Sequence, residues 1–552
     1  MLPRKAAGQK RTSPQIQGPP EQIHMTSTSK QRALSLRDLF LAILSGLLLT
    51  ASFPPGKFSF LAWIALIPLL VSILDKAPRN AFKLGFIAGF FHYLTLVYWI
   101  VVVLGQYGNL SLPVSLLALV LLSLFLALYP ALFSCLACRL NNGLFYPFFL
   151  GAFWVSIEYA RAHLVTGFPW CLLGYSQYEH LAVIQIANLF GVYAVSFLIV
   201  LVNGLIFQSF FRSKVTKHPL LKWEWGFVIM LIAGTLAYGF HQLAQKNARD
   251  NTAPHINAAV VQANIDQSVK WKPSVQLQTL ATYFKLSRSV GHSKPALVVW
   301  PETALPLFYQ DAPLFSPKMR DLATELGALL LFGSPAYERI NGKIRYYNRA
   351  YMITPGVPVP QYYDKRHLVP FGEYVPLKKY LPFINHLVQA AGNFAQGGPQ
   401  GPLKGRDLSM GVLICFEAIF PELARDLSRE GANLLVNITN DAWFGATSAP
   451  YQHLSMAVFR SVETGIPMIR AANTGFSAFI GTDGQVLKKT HLFVEAVLNQ
   501  SIPVSLAKPT IYTRSGDLFA VGLALISLLN LLNVFRKRSK KRTTANTARS
   551  GK

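Results

Sequence analysis

"GVLICFEAIFPE", residues Gly411–Glu422, places an apolar run directly before a cysteine and an acid, Cys415 and Glu417. A short apolar run that ends in polar residues is typical of a buried strand whose carboxyl end faces a ligand site. Two interpretations of Cys415 follow. It is either a buried core thiol, because free cysteine is among the most buried residue types, or a nucleophile beside an acid.

The same strand pattern recurs through the second half of the chain. The apolar runs are INAAVVQANI (256–265), ALVVWPE (296–302), ALLLFGSPA (328–336), MGVLICFE (410–417) and ANLLVNITN (432–440). Asn341-Gly342 and Asp483-Gly484 sit between runs of this type, which is typical of tight hairpins. The stretch YQHLSMAVFRSVETG (451–465) predicts a helix that ends at Gly465. Strands that interleave with helices predict a layered α/β domain.

The composition indicates a membrane protein. Of 552 residues, 52% are hydrophobic and only 14% are charged. The mean hydropathy is +0.32, which is more apolar than usual for a soluble protein of this length. The net charge is +27, and the basic residues gather at the two ends and in short loops between apolar runs. That distribution favours membrane orientation over a nucleic-acid partner.

Eight apolar runs are candidate membrane spans. They lie near 39–53, 58–74, 84–104, 113–138, 144–160, 190–211, 225–243 and 518–535. Lys and Arg precede the first span and follow the second, fourth, sixth and eighth, whereas GQYGNLSLP after the third has none. By the positive-inside rule both termini are cytoplasmic. The segment from about residue 245 to 515 then lies on the opposite side, as a folded domain between spans seven and eight.

Cysteine usage and motif content argue against a cofactor. Three of the four cysteines, Cys135, Cys138 and Cys171, lie in or beside apolar segments, so no disulfide framework is indicated. The Cys135-x-x-Cys138 pair lacks partner ligands for zinc, and no phosphate-binding loop is present. We therefore expect no metal, nucleotide or other cofactor.

Chemistry-bearing residues follow the apolar strands. The strand ends carry Glu302 in VVWPETALP, Cys415 and Glu417 in LICFEAIFPE, and Asn440 and Asp441 in ITNDAWFG. Lys365 and Glu373 lie in YDKRHLVPFGEYVP. A thiol becomes a strong nucleophile when a base takes its proton, and an ammonium group can stabilise the oxyanion that forms on an acyl carbon. A Glu, Lys and Cys set therefore supplies a base, a stabiliser and a nucleophile without a histidine.

These motifs resemble the Glu-Lys-Cys signatures of the nitrilase superfamily. The resemblance rests on WPE, DK.HLVPFGEYVP and CFE, and on NIDQSVKW (264–271), NDAWFG (440–445) and AANTGFSAFIGTDG (471–484). With GFPWCLLGYSQ (167–177) and the apolar spans, the chain resembles the bacterial apolipoprotein N-acyltransferase family over nearly all of its length beyond residue 36. The fold class implied is a bundle of eight transmembrane helices plus a nitrilase-like αββα sandwich domain.

The resemblance implies a role for each site residue. Glu302 would be the general base, Lys365 would stabilise the oxyanion, and Cys415 would be the nucleophile that carries a thioester. Supporting positions would be Glu373, Glu417, Asn348 in RYYNRAYMI and Trp271 in VKW. Phe416 occupies a place often held by Tyr in this family, so any hydrogen bond from that hydroxyl is missing here.

The resemblance also implies substrates and location. The acyl donor would be a membrane phospholipid, typically phosphatidylethanolamine, and the acceptor would be the α-amino group of the S-diacylglyceryl cysteine of an apolipoprotein. We expect a monomeric, multi-pass protein of the bacterial inner membrane. The expected divisions are a disordered basic cytoplasmic tail (1–36), transmembrane helices one to seven (37–244), a periplasmic catalytic domain (245–512), helix eight (513–536) and a basic cytoplasmic tail (537–552).

Two other functions fit parts of the pattern. A membrane-tethered carbon-nitrogen hydrolase, an amidase, would use the same three residues but resolve the acyl-enzyme with water. A transporter or sensor would carry the outer domain as an inactive binding module, which need not keep all three residues. Glu158 and Arg161, three positions apart near the end of the fifth span, are expected to form a structural ion pair unless they have a function of their own.

Overall fold

The computed structural model describes residues 33–140, 145–212, 221–375, 393–505 and 508–550. Most of the predicted N-terminal tail, residues 1–32, lies outside them. The α-helices are α1 Leu36–Ala51, α2 Ile67–Ser72, α3 Pro78–Leu96, α4 Ile100–Val102, α5 Leu112–Ala137, α6 Tyr146–His163, α7 Leu181–Ile184, α8 Ala187–Phe190, α9 Val192–Phe207, α10 Leu221–Thr252, α11 Pro273–Ser289, α12 Ser316–Leu326, α13 Pro421–Arg429, α14 Ala449–Thr464, α15 Ile511–Ser515 and α16 Leu518–Ser550. Short 3₁₀ helices cover Ser59–Trp63, Leu173–Gln177, Gly291–Ser293, Tyr309–Asp311, Cys415–Ile419 and Asp441–Phe444, and π-helical turns cover Val103–Tyr107 and Gln208–Arg212.

The predicted count of eight membrane spans is not confirmed. Among the described residues, three helices are long and apolar enough to cross a membrane, Leu112–Ala137, Val192–Arg212 and Lys222–Lys246, and a fourth span results if the bent pair Pro78–Leu96 and Ile100–Tyr107 counts as one. The remaining predicted runs do contain helices. Those of the first, second and eighth runs are short or divided, and α6 in the fifth run has 18 residues but includes the charged Glu158 and Arg161.

Proline and helix length account for the first, second and eighth predicted spans. Helix α1 has only 16 residues, and Pro54 and Pro55 follow shortly after it, where the missing N–H groups prevent the helix from continuing. The second predicted run divides into a 3₁₀ helix and the six-residue α2. Helix α16 has an apolar part of only Leu518–Val534, although its backbone stays helical as far as Ser550, within the predicted C-terminal tail.

Glu158 and Arg161 do not form the predicted ion pair. Both side chains are buried in α6, and each bonds the main chain of a neighbouring segment. Glu158 Oε1 accepts a hydrogen bond from the Leu173 N–H at 2.7 Å, and Arg161 Nη1 donates to the Trp170 carbonyl at 2.9 Å. Each side chain therefore bonds main-chain groups of residues 168–173 in place of the other side chain.

Within the described ranges, twelve strands form two six-stranded sheets. The strands are β1 His255–Gln262, β2 Leu297–Val299, β3 Leu329–Ile340, β4 Lys343–Ile353, β5 Gln361–Asp364, β6 Leu403–Gly405, β7 Leu408–Ile414, β8 Leu434–Thr439, β9 Met468–Ala472, β10 Ala478–Ile480, β11 Val486–Lys489 and β12 Ala496–Pro503. The first sheet has the order β12-β1-β2-β3-β4-β5 and the second β11-β10-β9-β8-β7-β6. All five predicted apolar runs contain a strand.

The strand sequences explain why two sheets stack face to face. Side chains alternate between the faces of a strand, and a central strand that is covered on both faces has apolar residues at both sets of positions. In β1, Ala258 and Val260 join the core between the two sheets, whereas Ala259 and Val261 pack on the outer face with α11 and α12. The outer face of the second sheet packs with α13, α14 and the apolar helix bundle in one continuous core. The order of layers is helix, sheet, sheet, helix, as predicted.

The two predicted hairpin turns differ. Ile340 pairs with Lys343 across β3 and β4, so Asn341 and Gly342 form a two-residue turn in which both have positive φ, +50° and +74°. The turn at Asp483-Gly484 is wider, because Ile480 pairs with Val486 after a register shift. Helix α14 ends before Gly465, which has a φ of +69°, and this end matches the prediction.

Candidate active site

Strand ends from both sheets bring four predicted residues together. Glu302 follows β2, Lys365 follows β5 directly, Cys415 follows β7, and Asn440 follows β8. Strands β2 and β3 are parallel, β5 runs in the same direction as β3 because β4 lies antiparallel between them, and β7 and β8 are parallel. The strand ends therefore gather these residues at one edge of the sandwich. Lys365 Nζ lies 3.5 Å from Glu302 Oε1, and the main-chain N–H of Asn440 donates to Glu302 Oε2. Cys415 is close enough for the charges of Glu302 and Lys365 both to act on its thiol.

Lys365 lies between two carboxylates. Its Nζ is 3.5 Å from Glu302 Oε1 and 2.9 Å from Glu373 Oε2, and its side chain is only 1% exposed. Burial alone would lower the pKa of Lys365, but Glu373 and Glu302 together raise it well above its ordinary value. The residue is therefore a fixed positive charge, which is what oxyanion stabilisation needs.

Neutral donors hold Glu302 in place. Asn348 Nδ2 donates to Glu302 Oε1 at 2.7 Å and to Glu373 Oε1 at 2.9 Å. The main-chain N–H of Asn440 donates to Glu302 Oε2 at 2.9 Å. Glu373 is held at its other oxygen by the Val369 N–H, also at 2.9 Å. The structure thus brings Glu302, Glu373, Lys365 and Asn348 into one hydrogen-bonded group.

Cys415 starts the 3₁₀ helix that follows β7, and its φ is +52°. A left-handed backbone at a non-glycine residue is uncommon and is found more often at functional sites. Burial, followed by the Glu302 carboxylate, raises the pKa of the Cys415 thiol, and Lys365 acts in the opposite direction. The thiol is therefore protonated at neutral pH, so it needs a base at the moment of attack.

Glu417 is tied to the main chain and is not free to act as that base. It is fully buried. Its Oε1 accepts from the N–H groups of Arg366 and His367 at 2.6 and 3.1 Å, and its Oε2 accepts from the Ile414 N–H at 2.7 Å. Burial raises the pKa of Glu417 to about 7. The carboxylate links the strand that ends at Cys415 to the turn that follows Lys365.

Phe416 and Trp271 have different surroundings. Phe416 is buried and packs with Phe420 and the His367 ring, at centroid distances of 5.1 and 6.0 Å, so an apolar contact occupies the place where the family often has a tyrosine. Trp271 is 47% exposed, and the contacts of the described residues do not connect it to the triad. It is therefore the one predicted site residue that the structure does not bring into the group.

The neighbour of Trp271, Lys270, is part of the site, and sequence reasoning missed it. Its Nζ donates to Thr303 Oγ1 at 2.7 Å and to the Glu302 carbonyl at 3.4 Å. Thr303 has a φ of +47°. Burial lowers the pKa of Lys270 to about 7, and the Glu302 charge only partly offsets this. The VKW motif was the available signal, because it contains this lysine.

A buried polar cluster beneath Cys415 was also missed. His453 Nε2 lies 3.1 Å from the Cys415 carbonyl oxygen, and His453 Nδ1 lies 3.0 Å from Asp441 Oδ1. Arg470 Nη2 donates to Asp441 Oδ2 at 2.7 Å. Burial alone would raise the pKa of Asp441, but Arg470 and His453 hold it well below its ordinary value. Asp441 at a strand end was a visible signal, whereas His453 lies inside a helix with no distinguishing pattern.

Family models and full-length relatives match this chain over most of its length. Residues 45–205 match the family described as "Apolipoprotein N-acyltransferase N-terminal domain", and residues 257–512 match "Carbon-nitrogen hydrolase". A relative from Geobacter metallireducens named apolipoprotein N-acyltransferase is 44% identical over 516 residues, which are 92% of this chain and 97% of the relative. A relative of the same name from Haemophilus influenzae is 32% identical over 90% of this chain and 95% of its own length.

One solved structure is a weaker match. A carbon-nitrogen hydrolase from Helicobacter pylori shares 19% identity at a TM-score of 0.34, covering 45% of this chain and 89% of the other.

Proposed function

This chain belongs to the apolipoprotein N-acyltransferase family, and from that membership we propose how its own residues carry out the transfer. It is an acyltransferase of the carbon-nitrogen hydrolase superfamily, membrane-associated, with lipoproteins as substrates. The donor we propose is a phospholipid, with phosphatidylethanolamine preferred. The acceptor we propose is the α-amino group of the S-diacylglyceryl cysteine of an apolipoprotein.

The observation that carries the mechanism is the position of Lys365, with Nζ 3.5 Å from Glu302 Oε1 and electrostatically coupled to Cys415. In the first half-reaction Glu302 takes the thiol proton while Cys415 Sγ attacks the ester carbon of the phospholipid. The Lys365 ammonium stabilises the oxyanion of the tetrahedral intermediate. The carbon–oxygen bond then breaks, Glu302 protonates the departing alkoxide, and a lysophospholipid leaves a thioester on Cys415.

The second half-reaction reverses these roles with an amine. The neutral α-amino group of the acceptor attacks the thioester carbon, and Glu302 accepts one proton from the attacking nitrogen. The oxyanion again lies against Lys365. The carbon–sulfur bond breaks, and Glu302 returns its proton to the sulfur of Cys415, so the enzyme is restored and the acceptor carries an amide.

The supporting residues keep this geometry. Asn348 and the Asn440 N–H orient Glu302. Glu373 is the second carboxylate paired with the Lys365 ammonium. Glu417 fixes the main chain on both sides of the site. We assign Trp271, which is exposed beside Lys270, to substrate contact and not to the triad.

For the membrane part we propose the eight spans and domain limits expected from hydropathy, with the catalytic domain at 245–512 in the periplasm and the protein monomeric in the inner membrane. Loop charges support the orientation. Two membrane-anchored substrates meet a membrane-bound enzyme in two dimensions, which supports the proposal because it raises their effective concentration. A cleft that faces lipid and contains little water would also protect the thioester from hydrolysis.

The test of the function is a trapped acyl-enzyme. Purified full-length protein in detergent is incubated with phosphatidylethanolamine labelled in its acyl chain, and the adduct is located by mass spectrometry. We expect a hydroxylamine-labile label on Cys415, absent from Cys415→Ala, which then transfers to a synthetic diacylglyceryl lipopeptide. The same assay with phosphatidylglycerol and phosphatidylcholine measures headgroup preference.

The outcomes separate the competing functions. Release of the label to water with no transfer to the lipopeptide would identify a hydrolase. Absence of any adduct on a folded sample would contradict both enzymatic functions.

The orientation of the catalytic domain is tested separately. Lys318, exposed on α12, is changed to Cys and labelled in intact cells whose outer membrane has been made permeable. We expect an inner-membrane-impermeant maleimide to react, and protection until the inner membrane is broken would reverse the orientation.

A further inference from the structure

We propose that His453 is a positioning residue for the nucleophile: its Nε2–H holds the main-chain carbonyl of Cys415 and so fixes the direction of the thiol. The role rests on the proposed function of Cys415, and the catalytic cycle above does not use His453. The histidine is completely buried in α14, and its Nε2 lies 3.1 Å from the Cys415 carbonyl oxygen.

The backbone at Cys415 needs such a support. With φ at +52° the residue is in the left-handed region, which is unfavourable for any residue other than glycine. The direction in which Cβ and Sγ point depends on that conformation. A hydrogen bond to the carbonyl of the same residue opposes relaxation to an ordinary backbone, which would turn the sulfur away from Glu302 and Lys365.

The donors and acceptors around the ring define its protonation. A carbonyl oxygen only accepts, so the contact with Cys415 requires a hydrogen on Nε2. Arg470 Nη2, 3.1 Å from Nδ1, can donate to that nitrogen when the ring is neutral. Asp441 Oδ1, 3.0 Å from the same nitrogen, accepts from it when the ring is charged. Nε2 therefore carries a hydrogen in both of these states. A hydrogen on Nδ1 alone would leave the Cys415 carbonyl oxygen facing an unprotonated nitrogen.

The cluster behind the ring is rigid. Arg470 and Asp441 are both fully buried and bonded to each other, and Thr439 Oγ1 donates to Asp441 Oδ1 at 2.9 Å. Arg470 Nη1 also bonds Asn437 Oδ1. Asn437 Nδ2 in turn donates to the Leu413 carbonyl in the strand that leads to the nucleophile. Buried groups with complete hydrogen bonding have one arrangement, so the ring is held in one orientation.

The helix bundle holds the other side. Gln452, the residue before His453, accepts at Oε1 from Trp170 Nε1 at 2.8 Å and from Trp99 Nε1 at 3.2 Å. Its Nε2 donates to the Leu96 carbonyl at 3.2 Å. The Trp170 ring also lies against His453, with centroids 5.8 Å apart. The apolar half of the chain therefore contributes directly to the position of His453, and through it to that of Cys415.

The experiment measures the nucleophile without any transfer reaction. Full-length protein in detergent is treated with iodoacetamide at pH 8, and the alkylation rate of Cys415 alone is followed by mass spectrometry of its peptide. His453→Phe keeps a ring for packing but has no donor. His453→Gln has an amide donor at similar reach. His292→Leu, at an exposed histidine, is the matched control.

We expect alkylation of Cys415 to slow about tenfold in His453→Phe, the rate equivalent of one hydrogen bond, and about threefold or less in His453→Gln and His292→Leu. Equal rates in all variants would overturn the proposal. Equal losses in the Phe and Gln variants would also overturn it, because rescue by a donor is the feature that a packing role lacks. If His453→Phe does not fold, as judged by thermal unfolding, His453→Leu replaces it under the same criteria.

Failure of the proposed function can be distinguished from failure of the positioning role of His453. The alkylation comparison uses no phospholipid and no lipopeptide, so it stands whether or not the wild-type protein forms a thioester. In the labelled phosphatidylethanolamine assay, a positioning role predicts the same order of variants for acylation of Cys415, with wild type fastest, Gln next and Phe slowest. A different order, in a protein that does form the adduct, would count against His453.

Discussion

The carboxylate of Glu417 accepts a hydrogen bond from the main-chain N–H of Ile414 at 2.7 Å, reaching back past the nucleophile that lies between them in the chain. The same carboxylate accepts from the Arg366 N–H at 2.6 Å, directly after Lys365. One buried side chain therefore fixes the main chain beside both the nucleophile and the oxyanion stabiliser. This explains why an acid two residues after a catalytic cysteine need not be its base.

Replacing Glu417 by Gln should disturb both neighbours. An amide cannot accept at both ends, so one main-chain N–H loses its acceptor and faces an NH₂ group. We expect a loss of about 1–3 kcal/mol in the free energy of unfolding for the unpaired buried group, with slower acylation of Cys415. Thermal unfolding and the trapped-adduct assay measure the two effects. Glu325→Gln, at a half-exposed acid, is the control, and equal behaviour of the two variants would contradict the assignment.

Replacing Glu302 by Gln should affect the chemistry more than the fold. Glu302 accepts from the neutral donors Asn348 and the Asn440 N–H and lies 3.5 Å from the Lys365 ammonium. An amide oxygen can still accept from one donor, so the variant loses about 1–3 kcal/mol of stability for the donor left unpaired, whereas the base is lost altogether. We expect thioester formation to slow by about 10²–10⁴-fold, the usual contribution of a general base. A single-turnover measurement with labelled phosphatidylethanolamine checks this. A wild-type rate in this variant would remove Glu302 as the base.

The Lys365 and Glu373 pair allows stability to be separated from catalysis. Lys365→Met leaves two buried carboxylates without their cation, and breaking a buried pair costs about 3–5 kcal/mol. Adding Glu373→Gln removes one of these charges, so we expect the double variant to regain part of the lost unfolding temperature. It should not regain acylation, because the oxyanion has no cation. Recovery of activity in the double variant would show that Lys365 acts only as a structural counter-ion.

Lys270 should give the stability a recognisable pH dependence. Burial lowers its pKa to about 7 in the folded protein, against an ordinary value of 10.5. Between these values the unfolded chain binds a proton that the folded protein does not, so this residue's contribution to stability increases as the pH rises. That contribution is complete above pH 10.5 and is lost as the pH falls through about 7.

The measurement compares wild type with Lys270→Met by thermal unfolding from pH 6.5 to pH 9.5. We expect the difference in stability, wild type minus variant, to increase with pH at up to about 1.4 kcal/mol per unit. Lys272→Met, at an exposed lysine, should show no such trend. A flat difference for Lys270→Met would mean that the lysine stays charged in the folded protein.

Local patterns predicted the sandwich because each strand is short, apolar and marked by polar residues at its end. The Asn341-Gly342 turn was predictable because a two-residue turn of this type requires positive φ at both positions. The prediction that Glu302 and Lys365 lie close together rested on the motif resemblance and on the rule that ligand sites form at strand ends. The distances themselves depend on the stacking of two sheets, which no window of sequence contains.

Other features depend on contacts between distant parts of the chain. His453 is one polar residue on a buried helix, and its role appears only when the strand that ends at Cys415 packs beside that helix. Glu158 and Arg161 have the spacing of an ion pair, but main-chain groups of another segment compete for both. Hydropathy windows counted eight candidate spans because they register apolar content. How many single helices reach the length and hydropathy of a span also depends on prolines, on helix ends and on charged residues such as Glu158.

The first and last strands of the sandwich are antiparallel neighbours, with His255 of β1 paired to Pro503 of β12. Paired residues of this kind lie about 5 Å apart, so the chain enters and leaves the domain at nearly the same point. A domain with adjacent ends can interrupt a host chain without forcing the flanking segments apart. The sandwich therefore has the geometry of a domain that can be inserted between two membrane helices of a host chain without disrupting either of its sheets.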